Sequence, residues 1–154
     1  MLQRIVSGGQ TGVDRAALDV ALELGIECGG WCPLGRKAED GRVPMAYPLR
    51  ETPSREYRVR TEWNVRESDA TLVLTWGPAG SGTGLTINLA QWLGRPLLVL
   101  DLGEDPEPDQ ARDWLDNGGY EVLNVAGPRE SLSPGIHALA REFLREVLSP
   151  LARG

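Results

Sequence analysis

The sequence has very few of the residues on which many enzyme mechanisms depend. Among 154 residues there are one histidine, His137, one lysine, Lys37, and two cysteines, Cys28 and Cys32. His137 lies off the apolar stripe of a predicted late helix, so we interpret it as a solvated side chain. A zinc site needs three or four ligands and a disulfide framework needs more cysteines, so neither is predicted.

Long apolar runs are also missing. No stretch approaches the ~18–20 residues of a membrane span, and residues 1–9 reach glycine too early to hold the ~7–15-residue core of a signal peptide. We therefore expect a cytoplasmic protein without a membrane partner. The length and the hydrophobic fraction of 41% suit one globular domain over residues 1–154.

The net charge is −6, but the charge is unevenly distributed. Eight basic side chains lie between residues 36 and 66, whereas the second half of the chain is acidic. Nucleic-acid binding depends on a broad basic surface, so we predict no nucleic-acid partner. The basic cluster is suited to binding a small anion, and the alternative interpretation is a basic loop whose charges are simply solvated.

Short apolar strands alternate with helices along most of the chain. Strands are predicted at 4–7, 26–28, 70–76, 96–101 and 121–126, and helices at 13–24, 61–68, 85–93, 106–117 and 133–148. For the last helix, Ser133 is the predicted N-cap and Pro134 the first residue. The alternation predicts a three-layer, Rossmann-like α/β fold with a mainly parallel sheet of about five strands and helices on both faces. Residues 29–60 fit no element, and we expect an ordered excursion that covers a site.

A strand, a glycine-rich turn and a helix follow one another twice, around residues 8–12 and 77–84. In a parallel sheet both turns lie at the carboxyl ends of strands, where ligands bind, and the free N–H groups of the following helix attract anions. We therefore predict a site for a small phosphorylated ligand. The candidate phosphate-binding residues are Gly8, Gly9, Gln10, Thr11, Gly12, Arg15, Arg36, Arg60, Gly80, Ser81, Gly82, Thr83 and Gly84. Trp31 and Trp63 are candidates for stacking on its ring, and the alternative is that they pin the excursion to the domain.

The common nucleotide motifs are absent or incomplete. No Gly-Lys-Ser/Thr of a Walker A loop occurs. Gly80 and Gly82 with Asp101 about 20 residues later resemble the dinucleotide fingerprint, but Leu85 replaces its third glycine. An NAD-type oxidoreductase is thus one alternative, with Asp101 on a ribose hydroxyl or simply a solvated carboxylate.

Four segments carry a family resemblance: Gly-Gly-Gln-Thr-Gly-Val-Asp-Arg at 8–15, Gly-Trp-Cys-Pro with the arginine and acidic residues at 30–41, Arg-Thr-x-Trp-Asn-Val and Ser-Asp at 60–69, and Gly-Thr-Gly-Leu-Thr at 82–86. They resemble the molybdenum carrier proteins, the circularly permuted YpsA-type branch of the SLOG superfamily. The resemblance implies a Rossmann-like fold and a ligand that is a nucleotide or the molybdenum cofactor, held by a carrier or sensor. Whether the protein is an enzyme stays open, and a homo-oligomer is an expectation from related families.

The lonely-guy phosphoribohydrolases, which are relatives of this branch, contain Pro-Gly-Gly-x-Gly-Thr-x-x-Glu. Residues 80–83 match the centre of that motif, but Thr86 or Ile87 stands where its glutamate would lie. A nucleotide N-glycosidase or phosphohydrolase is therefore the other alternative. The acid–base group would come from the remaining carboxylates, with the neighbouring pair Glu39 and Asp40 favoured and with Asp14 and Asp69 as further candidates. Asp14 could instead only compensate the dipole of the first helix.

Overall fold

A five-stranded parallel sheet forms the centre of the protein in the computed structural model, which describes residues 1–152. The strands are β1 Arg4–Val6, β2 Glu27–Gly29, β3 Trp31–Cys32, β4 Lys37–Ala38, β5 Gly41–Arg42, β6 Arg50–Glu51, β7 Ala70–Thr75, β8 Leu97–Asp101 and β9 Val122–Ala126. The helices are α1 Val13–Leu24, α2 Tyr57–Arg66, α3 Ser81–Trp92, α4 Pro108–Gly118 and α5 Ile136–Ala152, with a short 3-10 helix at Leu102–Glu104. The α/β fold with five central strands confirms the expectation from the sequence.

The order of strands in the sheet is β2-β1-β9-β7-β8, and every neighbouring pair is parallel. The chain leaves β1 through α1 towards β2 on one side, and it leaves β7 through α3 towards β8 on the other. Connections that diverge in this way open a crevice at the carboxyl edge of the sheet. β9 lies in the middle of that crevice, so the two glycine-rich turns flank the end of β9.

Apolar burial explains why the central strands form. All six residues of β7 are buried, as expected of a strand that is covered on both faces. α1 and α4 end at Gly25 and Gly119, which both adopt the left-handed conformation and whose N–H groups bond to carbonyls of the last turn. Within the described residues, no helix combines the length and the hydropathy that a bilayer crossing requires.

Residues 29–56 are the ordered excursion, and two small sheets organise it. β3 pairs with β6 in parallel, and β4 pairs with β5 as an antiparallel hairpin. Arg36, which has a φ of 57°, donates hydrogen bonds to the carbonyl oxygens of Val43, Pro44, Tyr47 and Leu49. This buried guanidinium thus links four carbonyl groups of the excursion.

Four helices begin where the sequence pattern did not place them, and for α4 the shift is only from residue 106 to Pro108. α2 begins at Tyr57, so Arg60 is helical, and α3 begins at Ser81, which makes the second half of the glycine-rich segment its first turn. α5 begins at Ile136 because Gly135, with a φ of 92°, interrupts the helix predicted from Ser133. The Glu130 carboxylate caps α5 in place of Ser133, since it accepts hydrogen bonds from the N–H groups of Gly135 (2.7 Å) and His137 (3.0 Å).

Candidate functional site

A cavity of about 500 Å³ lies at the carboxyl ends of β1, β9 and β7. Its wall contains residues of both glycine-rich turns, of α2, of the end of β9 and of the loop at 126–133. Seven of the thirteen predicted phosphate-binding residues line it: Gly8, Gln10, Arg60, Gly80, Ser81, Gly82 and Thr83. The other six, Gly9, Thr11, Gly12, Arg15, Arg36 and Gly84, do not belong to its lining.

The second turn offers the cavity an open helix N-terminus. The first hydrogen bond of α3 runs from the Gly84 N–H to the Gly80 carbonyl, and no side chain caps the helix. The N–H groups of Ser81, Gly82 and Thr83 therefore have no partner among residues 1–152. The first turn of α3 also contains no acidic residue. Its partial positive charge is thus available to an anion.

The first turn is closed by the protein itself. The Val13 N–H donates to the Pro128 carbonyl (3.3 Å), the Arg15 N–H to the Gln10 carbonyl (3.2 Å), and the Thr11 N–H to the Gln10 side chain (3.1 Å). The carboxylate of Asp14 accepts the Gln10 N–H at 3.3 Å. The two turns are therefore not equivalent, because carbonyl oxygens and side chains of the protein already accept N–H groups of the first turn.

Asp14 and Arg60 form the charged floor of the cavity. Asp14 is 6% exposed and Arg60 is 8% exposed, and both line the cavity. Arg60 donates from Nη1 to the Gly8 carbonyl (2.8 Å) and from Nε to the Thr61 hydroxyl (3.1 Å), and it stacks over the Tyr57 ring at 5.0 Å. Burial raises the pKa of Asp14 to about 6, although Arg60 and hydrogen bonds from the main chain of Gln10 and Gly8 act in the opposite direction.

Asp14→Asn is expected to stabilise the protein at pH 7.5 and to have little effect at pH 4. The pKa of Asp14 rises from 3.8 to about 6 on folding, so the folded state binds more protons than the unfolded state between these values. The contribution of Asp14 to stability is therefore full below pH 4 and is lost as the pH rises through 6. The gain in unfolding free energy in the Asn variant should reach up to about 3 kcal/mol.

Urea unfolding of both proteins at the two pH values measures this difference. Asp113→Asn is the matched control, because Asp113 is exposed on α4 and lies outside the cavity. An Asp14→Asn effect that does not change between the two pH values would contradict the assigned titration.

The three arginines that the sequence predicted as phosphate ligands separate into two groups. Arg36 is 4% exposed, and its hydrogen bonds to four carbonyls of the excursion keep it away from the cavity. Arg15 forms a bidentate ion pair with Asp40, at 2.5 and 2.7 Å, and donates from Nε to the Gly9 carbonyl. Both side chains are used to fasten the excursion, whereas Arg60 faces the cavity.

The two predicted stacking tryptophans pack on each other. The rings of Trp31 and Trp63 meet edge-to-face, with centroids 4.8 Å apart, and neither residue lines the cavity. The Asn64 side chain donates to the Trp31 carbonyl and accepts the Trp31 N–H. These two hydrogen bonds join the excursion to α2. The aromatic residues at the cavity are instead Tyr57 and Trp76, and Trp76 is 52% exposed.

The carboxylates that the sequence favoured for acid–base chemistry have structural partners. Glu39 accepts hydrogen bonds from the Ser131 main chain (3.2 Å) and from the hydroxyls of Ser131 and Thr11, which lower its pKa. Asp40 binds Arg15. Asp69 accepts the N–H groups of Glu121 and Val122, and Asp101 accepts those of Gly77 and Gly103. Of the carboxylates named from the sequence, Asp14 lines the cavity and the others do not.

Trp76, Asn124 and the 126–133 loop line the cavity but were not predicted from the sequence. Each carried a usable signal. Trp76 directly follows the buried strand β7, and Asn124 is a polar residue inside the otherwise apolar strand β9. The Gly-Pro pair at 127–128 follows β9 at the same edge of the sheet, so the strand-end argument applied to it as well.

A sequence model of the circularly permutated YpsA SLOG family matches residues 5–148. The chain belongs to this family. The match confirms the resemblance seen in the motifs and extends it through the 126–133 loop and into α5. The fold is also similar to a crystal structure named "Putative molybdenum carrier protein" from Syntrophus aciditrophicus SB, with 42% identity, a TM-score of 0.91, and coverage of 96% of this chain and 95% of that one. None of the curated proteins matches this YpsA-type chain.

Proposed function

We propose that this YpsA-type SLOG protein binds a phosphorylated small molecule, either nucleotide-like or like the molybdenum cofactor, and holds it without converting it. The observation that supports this most directly is the open N-terminus of α3 at the cavity, with three N–H groups that lack partners in the described part of the chain. Hydrogen bonds to a charged group each contribute about 1.5–3 kcal/mol, so these amides could hold a phosphate without lysine or metal.

The rest of the wall suits an organic ring. Trp76, Pro78, Leu85 and Leu132 line the cavity, and Trp76 and Leu132 are exposed apolar side chains at its wall. A cavity of about 500 Å³ lies in the range of typical small-molecule sites. A bound ring would cover apolar surface that otherwise faces water, and Trp76 offers it a face for stacking.

A molybdenum-containing ligand would have to bring its own metal donors. Across residues 1–152 no group of three or more His, Cys, Asp or Glu side chains is placed to hold a metal ion. Cys28 and Cys32 are buried and do not belong to the cavity lining. The cavity therefore fits the phosphate and ring of such a molecule rather than a bare metal ion. The name of the similar crystal structure is in keeping with this ligand class.

Titration calorimetry with inorganic pyrophosphate, AMP and GMP tests the proposal. Saturable binding of pyrophosphate and of at least one nucleotide is expected, and chromatography after long incubation should recover the nucleotides unchanged. Native mass spectrometry and molybdenum analysis of protein purified without added ligand would identify a co-purifying molecule. The proposal fails if none of the three compounds binds.

A nucleotide hydrolase is the second candidate, and Asp14 is the observation that favours it. A carboxyl group with a pKa of about 6 inside a ligand cavity is suited to general acid–base catalysis near neutral pH. Release of free base or phosphate in the same incubation, lost in Asp14→Asn, would favour this candidate over a carrier or sensor. No contact at Asp101 favours an oxidoreductase, since its carboxylate accepts the Gly77 and Gly103 N–H groups.

A further inference from the structure

The two charged groups on the cavity floor each keep one atom free. Asp14 accepts the Gln10 N–H at Oδ2, the oxygen that also lies beside the main chain of Gly8, and no residue that the structure describes makes a hydrogen bond to Oδ1. Arg60 donates from Nε and Nη1, and Nη2 has no acceptor among those residues. Both side chains are more than nine-tenths buried, yet both line the cavity. An acceptor and a donor, carried by two largely buried side chains, thus lie at the cavity wall.

Gly8 explains how the two groups come together. A Cβ at this position would lie 2.7 Å from Arg60 Nη1 and 2.9 Å from Asp14 Oδ2, so only glycine lets both side chains approach the main chain here. No ion pair joins Asp14 to Arg60 within the described chain. The carboxylate and the guanidinium are therefore neighbours that do not satisfy each other.

This floor and the start of α3 differ in charge. An anion bound beside Asp14 would meet a buried like charge, whereas the first turn of α3 contains no acidic residue. A phosphorylated ligand is thus oriented with its phosphate at α3 and with an uncharged, hydrogen-bonding part at the floor. That part must offer donors to Asp14 and an acceptor to Arg60, because unpaired buried polar groups are costly.

We propose that Asp14 and Arg60 recognise the lactam–amine edge of a guanine or pterin ring. The ring N–H and the exocyclic amine donate to the Asp14 carboxylate, and the ring carbonyl accepts from Arg60 Nη2. Adenine presents a ring nitrogen lone pair at the equivalent edge, which would face the carboxylate, and xanthine presents a second carbonyl there. This inference rests on the proposed function, since the phosphate at α3 sets the orientation of the ring.

Calorimetric titration with GMP, IMP, AMP and XMP at pH 7.5 tests the inference. GMP is expected to bind roughly ten- to a hundredfold more tightly than AMP and XMP, with IMP in between because it lacks the exocyclic amine. Asp14→Asn should abolish the preference for GMP and improve XMP binding, because the amide can donate to the additional carbonyl. Pyrophosphate, which lacks a ring, should bind the Asn variant at least as well as the wild type.

Asp113→Asn provides the control for a loss of one negative charge far from the cavity, and the wild-type ranking should persist in it. Equal affinity for GMP and AMP, with pyrophosphate still bound, would overturn the assigned edge and leave the proposed function intact. A GMP preference that survives in Asp14→Asn would remove Asp14 from the recognition. Failure of pyrophosphate and all four nucleotides to bind would overturn both proposals. The wild-type ranking decides the ring class even if the Asn variant does not fold.

Discussion

Gly82→Val is expected to weaken the binding of pyrophosphate and nucleotides at least about a hundredfold while the protein stays folded. Gly82 is the second residue of α3 and lines the cavity, and a Cβ added there meets no atom within 4 Å. The valine side chain would therefore occupy the space in front of the free N–H groups without disturbing the packing. Valine is also no worse than glycine for helix formation, so stability should not fall.

Gly84→Val is the matched control for this substitution. Gly84 lies in the same turn of α3, and an added Cβ again meets no atom within 4 Å, but the residue does not line the cavity. Calorimetry should give normal affinity for Gly84→Val, and thermal unfolding should show both variants folded. Normal affinity in folded Gly82→Val would reject the anion site at α3.

The first glycine-rich turn cannot be tested in the same way. Gly9 has a φ of 82°, and a Cβ there would lie 2.5 Å from Leu49 Cδ1. A valine at Gly9 would strain the main chain and displace the excursion, so a loss of binding would have no unique cause.

Gly12→Ala is expected to give the largest loss of stability. Gly12 is the N-cap of α1 with a φ of 83° and a ψ of −130°, a combination that side chains disfavour. Its Cβ would also collide with the Pro128 carbonyl oxygen and lie 2.9 Å from the Glu130 nitrogen. The unfavourable conformation alone costs about 1–3 kcal/mol, and moving two main-chain segments apart adds to it. Because Pro128 lines the cavity, ligand affinity should fall as well.

Gly25→Ala separates the cost of the backbone conformation from the cost of the collision with neighbouring main-chain atoms. Gly25 ends the same helix with a φ of 72°, but a Cβ there meets no atom within 4 Å. This variant should lose only the conformational part, about 1–2 kcal/mol, and keep normal affinity. Equilibrium urea unfolding measures both variants. Equal losses in the two would mean that the close approach of α1 to the 126–133 loop contributes nothing.

The sequence predicted the central strands because their signal is local. An uninterrupted apolar run such as residues 70–75 can be buried on both faces only inside a sheet, and glycine after a periodic segment marks the end of α1. The first residues of the helices were harder to predict from the sequence. Nothing in the local pattern distinguishes Ser81 from Leu85 as the first residue of α3, because glycine and serine suit both a loop and an uncapped first turn.

The direction in which each side chain points could not be predicted from the sequence. Arg36 and Arg60 look alike there, as arginines in a basic stretch near two glycine-rich turns. The fold turns Arg36 onto carbonyls of its own excursion, whereas Arg60 reaches the Gly8 carbonyl, 52 positions away in the chain. The sequence also did not show that the rings of Trp31 and Trp63 pack against each other instead of lining the cavity.

The amino-acid sequence alone determined the α/β class, the family and the two glycine-rich turns that follow strands, because the signals of strands, turns and motifs each lie within a few consecutive residues. Only the folded chain decided that the first turn is closed by contacts within the protein while α3 stays open, and that Asp14 and Arg60 share the floor beside Gly8. Those features depend on contacts between segments that are distant in sequence, and the burial that such contacts produce is also what raises the pKa of Asp14.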